Sequence, residues 1–242
     1  GGWISPGVEA LQELAWRKGL PLVEDCAHAH GSRFRGKHAG SFGTAGAFSF
    51  FSTKLMTTGE GGMIVTQDNA LDAKCRLLRD QAKVGGRNYC EEIGHNWRMT
   101  EFAALMGLSQ LRTLTSSIAQ REEIAGVYDA LFDESGPLRP IRPAREAFAN
   151  RYKYVLTMRD PDQDRLKAEL QNRYGVSLGG FVYEVPCHLQ PAFKRWAKTP
   201  LPNAERLAPR HVCPPIFAGL SAADADYAGR SLLAAASARA AS

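Results

Sequence analysis

The sequence predicts an α/β fold, a mostly parallel sheet covered by helices, followed by a smaller α+β unit at the C-terminus. Three observations carry that expectation. Short apolar runs of strand length alternate with stretches of helical period along most of the 242 residues. One run, "LPLVEDCAHAHG", is apolar until Glu24 and Asp25, as a buried parallel strand is where it leaves its sheet. A Pro-rich, charged segment without apolar period, "DESGPLRPIRPAR", marks a boundary and divides the chain into a large domain, 1–134, and a small one, 135–242.

Taken in order, Ser5 and Pro6 form an N-cap and first-turn pair. Val8, Leu11, Leu14 and Ala15 follow at helical spacing until Gly19 ends the pattern. The strand that exits at Asp25 comes next, and Ala47 to Phe51 and Met63 to Thr66 read as two more. A helix is expected over about Ala70 to Gln81, and a long helical region over Thr100 to Phe132 with a possible break near Thr113 to Ser117. In the small domain "RYKYVLTM" and "SLGGFVYEV" read as strands, while Asp162 to Tyr174, Asn203 to Arg210 and Ser221 to Ala236 read as helices. The closing "LLAAASARAAS" reads as a frayed tail.

Composition narrows the class. With 44% hydrophobic residues the chain buries a sizeable core. Its net charge of +5 is spread thinly, with no basic run and no aromatic-interleaved basic strip, so nucleic-acid binding is not expected. The five cysteines are odd in number and far apart, without C-x-x-C pairs, and read as reduced cytoplasmic thiols rather than a disulfide frame or a metal site. No run is long enough to span a bilayer. The opening "GGWISPG" has neither an initiator Met nor the layout of a signal peptide, which leads to the expectation that the chain begins mid-protein.

The chemistry centres on "FSFFSTKLMTTGEGGM". Lys54 stands alone among hydroxyls, just ahead of Gly59, Gly61 and Gly62, where a solubilising lysine would sit on a helix face among other charges. Ligands of open α/β sheets bind beyond the carboxyl ends of strands, and Asp25 and Lys54 both lie in strand-exit segments. A lysine and a carboxylate facing one pocket suit pyridoxal 5'-phosphate: the amine forms a Schiff base with the aldehyde, and the carboxylate keeps the pyridine nitrogen protonated. Ser49 and the glycine-rich turn are candidates for the phosphate. Each piece alone has a plainer reading, as a surface lysine, a helix-capping Asp or a hairpin turn. His28 and His30 are metal ligands by type, but without a third partner they read as hydrogen-bonding residues.

The run "VEDCAHAHGSRFRGKHAGSFGTAGAFSFFSTKLMTTGEGGMIVT", followed by "GHNWRMTEFAALMGLSQL", resembles the DegT/DnrJ/StrS sugar aminotransferases. The motifs E-D-x-A-[QH]-x-x-G, F-S-F-x-x-x-K and G-x-N-x-R-M-T occur in that family's order. The resemblance implies the fold type I architecture of pyridoxal phosphate transferases, with residues 1–134 as an incomplete cofactor-binding domain. It also implies that Asp25 pairs with the pyridine nitrogen, His28 contacts the phenolic oxygen where many relatives have Gln, Ser49 binds the phosphate and Lys54 is the covalent anchor. Asn96 resembles the residue that reaches the neighbouring subunit's cofactor phosphate, which implies a homodimer with shared active sites. In "FVYEVPCHLQPAF" the resemblance points to Tyr183 and His188 as substrate-contacting residues. The family's front portion, with its phosphate-cradling turn and stacking aromatic, lies outside the sequence, so residues 1–242 by themselves are expected to hold part of each site and to leave apolar surface uncovered.

Two functions are compatible with these residues. One is an aminotransferase moving an amino group from glutamate or glutamine to a nucleotide-linked keto-sugar or a keto-cyclitol, with the wording around Asp25 and Lys54 leaning towards the cyclitol enzymes of antibiotic pathways. The other is a non-catalytic regulatory or binding protein that keeps the fold. A dehydratase of the aminohydroxybenzoate synthase-like kind fits the fold, but such enzymes lose the lysine that stands here at position 54.

Overall fold

A computed structural model describes residues 2–85, 88–90, 92–159 and 162–237. The chain forms two compact units: residues 2–118 with 143–150, and residues 119–142 with 151 onward. The division falls inside a long helix rather than in the Pro-rich segment, because the second half of that helix packs with the later residues.

In the N-terminal unit, α1 (Val8–Lys18) starts later than the Ser5–Pro6 pattern suggests. Gly7 is its N-cap, and the Ser5 hydroxyl accepts the Gly7 N–H at 3.3 Å instead of capping the helix. Gly19, left-handed at φ 61°, ends it. Then come β1 (Val23–Asp25), the two-residue strands β2 (Arg33–Phe34) and β3 (Lys37–His38), β4 (Ala45–Ser49) and β5 (Gly62–Thr66). The main sheet has the order β1-β4-β5. β1 runs parallel to β4 with Asp25 opposite Ala47, while β5 runs antiparallel to β4 with Gly62 opposite Ser49, so this sheet is mixed.

The loop between β3 and β4 lies hard against the sheet. A Cβ on Gly46 would fall 2.4 Å from the Gly40 Cα, and one on Gly43 would fall 2.2 Å from the Leu22 carbonyl oxygen. Only glycine fits such approaches. The Glu24 carboxylate accepts the N–H groups of Gly40, Phe42 and Gly43 at 2.8, 2.6 and 2.7 Å, which wraps the turn around one side chain.

α2 (Asn69–Arg79) is capped by Asp68, whose Oδ1 accepts from the Ala70 and Leu71 N–H groups. α3 (Glu101–Leu131) is one helix of 31 residues, without the break expected near Thr113 to Ser117. The hydroxyls of Thr113 and Ser116 donate to the carbonyls of Gln110 and Thr113, so these residues are absorbed into the helix. Beyond β6 (Leu138–Pro140), which belongs to the other unit, β7 (Ala147–Phe148) returns to pair with β2 and completes a small sheet of order β3-β2-β7. Phe34, Phe42, Cys26 and Val8 form the core of this unit, and burial pushes the Cys26 thiol up to about 12.

The C-terminal unit adds β8 (Leu156–Met158), α4 (Gln163–Glu169) running into a π turn at Leu170–Tyr174, α5 (Pro202–Leu207), β9 (His211–Val212) and α6 (Ala222–Ser237). β6, β8 and β9 make an antiparallel sheet whose core includes Tyr128, Phe132, Leu156, Leu166, Val212 and Leu232. The Tyr128 hydroxyl donates to the Pro215 carbonyl at 2.6 Å, and that of Tyr154 to Asp129 at 2.7 Å. Two expectations change here. "SLGGFVYEV" is not a strand; its backbone is tied by single bonds, such as Gly179 N–H to the Cys213 carbonyl. Nor is the stretch through Ser237 a frayed tail, since Leu232 and Ala235 are buried on α6; residues 238–242 lie outside the described residues.

Large side chains stay uncovered on both the sheet and α3. Val23, Met63 and Ile64 are exposed on the strands, and Phe102 (86% exposed), Leu105 and Leu108 on the first turns of α3. None of the described helices is long and apolar enough to cross a membrane.

Candidate functional site

Asp25 is the last residue of β1, and Ser49 is the last residue of the neighbouring strand β4, two positions beyond the partner of Asp25. Asp25 is exposed, and its Oδ1 accepts the Ala27 N–H at 3.0 Å, which turns the chain sharply away from the sheet. This turn sends 26–32 across the strand ends and carries the half-buried His28 with it. The Ser49 Oγ accepts the Phe51 N–H at 3.3 Å and starts the opposite turn, towards Lys54.

The Lys54 loop is closed at its base. Phe50 N–H donates to the Gly61 carbonyl, Thr58 N–H and the Thr57 hydroxyl both donate to the Phe50 carbonyl, and Gln110 of α3 accepts the Thr57 N–H at 2.8 Å. Gly61, at φ 150°, leaves no room for a side chain, because a Cβ would meet the Thr58 Oγ1 at 2.5 Å. Lys54 is half-buried in this closed loop. A carboxylate and a hydroxyl thus end two adjacent parallel strands and an amine stands in the loop that follows the second, a donor set that suits a phosphorylated, electron-poor aromatic aldehyde.

Two further residues tie these segments: His30, which the sequence reads as a hydrogen-bonding residue, and Asn150, which it does not single out. His30 is 4% exposed, and its Nε2 lies 2.9 Å from the Ser49 carbonyl. A carbonyl only accepts, so Nε2 carries the hydrogen. Burial holds this ring below its ordinary range, the bond to Ser49 opposes that, and nearby Lys54 reinforces it. Asn150, 0% exposed, donates from Nδ2 to the carbonyls of both His28 and His30 at 2.9 Å, while its own N–H reaches the Gly2 carbonyl at 3.0 Å. The only signal for Asn150 would be a contact across some 120 positions of chain.

Asn150→Ala should therefore strand buried carbonyls and leave a cavity. We expect a loss of roughly 2–4 kcal/mol, measured as a lower urea midpoint at unchanged slope. A loss under about 0.5 kcal/mol would mean that water takes over both bonds.

Asn96 lies in the same unit, on an extended segment that bridges to Asp80 behind α2. Its neighbours His95 and Trp97 stack at 4.0 Å with rings nearly parallel, and His95 N–H and Trp97 N–H donate to the carbonyls of Leu78 and Arg79. Alternation along such a segment puts Asn96, which is exposed, on the face opposite those rings.

Tyr183 and His188 belong to the C-terminal unit. Tyr183 is exposed on the lining of a groove of about 490 Å³, together with Phe181, Glu184, Leu189 and Pro191. His188 is occupied: its Nε2 pairs with Glu205 Oε1 at 2.9 Å. That bond and the Leu201 N–H hold the Glu205 carboxyl below its usual range. Among the described residues no group of three or more His, Cys, Asp and Glu is arranged to hold a metal ion, and all five cysteines are free.

The mixed α/β architecture is that of part of a fold type I pyridoxal phosphate transferase, the class to which its structural neighbours belong. The sequence profile of the DegT/DnrJ/EryC1/StrS aminotransferase family matches residues 2–232, and the chain belongs to that family. It is 35% identical over 225 residues to the GDP-perosamine synthase of Caulobacter vibrioides, covering 90% of this chain and 60% of that one. It is 33% identical to the pleiotropic regulatory protein of Geobacillus stearothermophilus, covering 91% and 59%. Among solved structures, the aminotransferase TlmJ from Streptoalloteichus hindustanus superposes with a TM-score of 0.89 at 30% identity, over 99% of this chain and 64% of that one. The chain therefore spans about three fifths of the length of these relatives.

Proposed function

We propose that the protein containing this chain is a pyridoxal 5'-phosphate-dependent aminotransferase that transfers an amino group from glutamate or glutamine to the keto group of a nucleotide-linked sugar. The observation that carries this reading is the placement of Asp25 and Ser49 at the adjacent carboxyl ends of β1 and β4, tied through His30, with Lys54 in the loop that follows β4. The similarity to a GDP-perosamine synthase supports a sugar nucleotide as acceptor over the keto-cyclitol towards which the sequence leans. In this reading residues 1–134 form the cofactor portion and 135–242 the small domain.

The cofactor, when bound, supplies an electron sink for the charge that develops on the substrate carbon. Lys54 Nζ would be the amine that holds it and, when free, would carry a proton to and from the substrate carbon. Asp25 would stabilise the positive charge on its ring nitrogen, His28 would serve its phenolic oxygen, and the Ser49 hydroxyl would hold its phosphate. Asn96 reaches the phosphate site of a partner subunit, and Tyr183 and His188 contact the acceptor. The uncovered apolar face at the start of α3 supports a homodimer with shared sites. The thinly spread charge and free cysteines support a cytoplasmic enzyme without nucleic-acid or membrane partners.

Full-length protein should purify yellow and shift its absorbance to the ultraviolet when glutamate or glutamine is added without an acceptor. The similarity to a protein named as a regulator favours a second reading, a non-catalytic member of the family. A protein that is colourless after incubation with the cofactor, or whose spectrum neither amino acid changes, would favour that reading.

A further inference from the structure

The groove-lining segment 181–191 begins without strand or helix ladders, and its first residues are held by a buried ring. His211, at the start of β9, is 2% exposed. Its Nδ1 lies 2.9 Å from the Ala208 carbonyl, which can only accept, so Nδ1 carries the hydrogen. That leaves the Nε2 lone pair to accept the Val182 N–H at 2.8 Å. Phe181 packs edge-on against the same ring, with centroids 5.7 Å apart at 78°. From α4, Gln163 Nε2 donates to the carbonyls of Ala208 and His211 and fixes the turn that carries the imidazole. Two further bonds hold the approach to Val182: Lys153 Nζ donates to the Gly179 carbonyl at 2.6 Å, and Gly179 N–H donates to the Cys213 carbonyl at 2.8 Å.

We infer that His211 is a positioning residue, whose neutral Nδ1–H tautomer latches Val182 and so sets how Tyr183 and the groove it lines are presented to the acceptor substrate. That the groove serves the acceptor rests on the function proposed above; the latch does not.

The latch is sensitive to protons. A second proton would turn Nε2 into a donor facing the Val182 N–H, so two donors would oppose each other and the bond would be lost. Burial holds the ring below its ordinary value, the Ala208 and Leu207 carbonyls pull the other way, and Lys153 also disfavours the cation. The other faces offer little to stabilise a charge. α4 presents the neutral Gln163, and its capping Asp162 accepts the Arg165 N–H at 3.1 Å. β8 pairs Thr157 with His211, and Arg210 donates to the Arg159 carbonyl. The native ring is therefore neutral above about pH 6.5, where the latch is closed. The stability it contributes is present in full above that pH and is lost progressively as pH falls from about 6.5 to the lowered native value.

Amide hydrogen exchange, corrected for intrinsic rates, tests this without cofactor or substrate. On going from pH 7 to pH 5, peptides covering 181–185 should exchange about tenfold faster in the wild type. His211→Gln, whose Oε1 can accept from Val182 but does not titrate, should stay protected at both pH values. His211→Leu should be unprotected at both, while β8 peptides stay protected in every variant. Wild-type protection of 181–185 in His211→Leu, or wild-type pH dependence in His211→Gln, overturns the latch. If His211→Leu also loses β8 protection, the pH comparison of the Gln variant decides alone. If the exchange follows expectation but the full-length protein aminates no keto-sugar, the proposed function fails and the latch stands.

Discussion

Replacing Lys54 by alanine in the full-length protein should lower transamination by about 10⁴-fold or more. The expectation follows from how the loop is built. Its base is closed by backbone bonds to Phe50 and Gly61 and by Gln110, none of which uses the lysine side chain, so the variant should fold with its loop in place. What it loses is the amine that, in the proposed function, would both anchor the cofactor and move the proton. Borohydride reduction of the wild type followed by peptide mapping should find the cofactor on Lys54. A label on Lys18, Lys37 or Lys83, or alanine-variant activity within tenfold of wild type, would remove Lys54 from the mechanism.

Asp25→Asn should lower turnover by roughly 10²–10³-fold, the scale of losing one preorganised electrostatic contact. Cofactor retention should change far less. The amide oxygen can still accept the Ala27 N–H, so the turn that launches 26–32 survives. A neutral amide can also bond the ring nitrogen, but it cannot stabilise the positive charge that draws electrons from the substrate. Turnover from single-turnover kinetics, set beside cofactor dissociation from the same preparation, separates the two effects. Near-normal turnover would make Asp25 a capping residue and nothing more.

Much of the N-terminal unit was legible because its signals are local. The exit of a strand at Asp25, the hydroxyl-rich turn around Lys54, the helix from about Ala70 and the length of α3 each rest on neighbouring residues. Tertiary bonds are another matter. The strands β2, β3, β7 and β9 have two residues each, too few to show a period. "SLGGFVYEV" has the composition of a strand, but Val182 gives its hydrogen to a histidine ring rather than to a neighbouring strand. Asn150 looks like any loop asparagine until its amide is seen on the carbonyls of His28 and His30.

The two adjacent acids at the end of β1 illustrate a different limit. Successive side chains of a strand leave on opposite sides, so Glu24 turns towards the 40–43 loop and holds three of its N–H groups, while Asp25 turns out to the strand ends. They are chemically near twins with unrelated employments. Exchanging them would leave the chain's composition and net charge identical, yet the shorter acid would have to span the reach to the loop and the longer one would stand in the place of the aspartate. Position along the pleat, which no bulk property records, is what separates the acid that holds the loop from the acid that stands at the strand end.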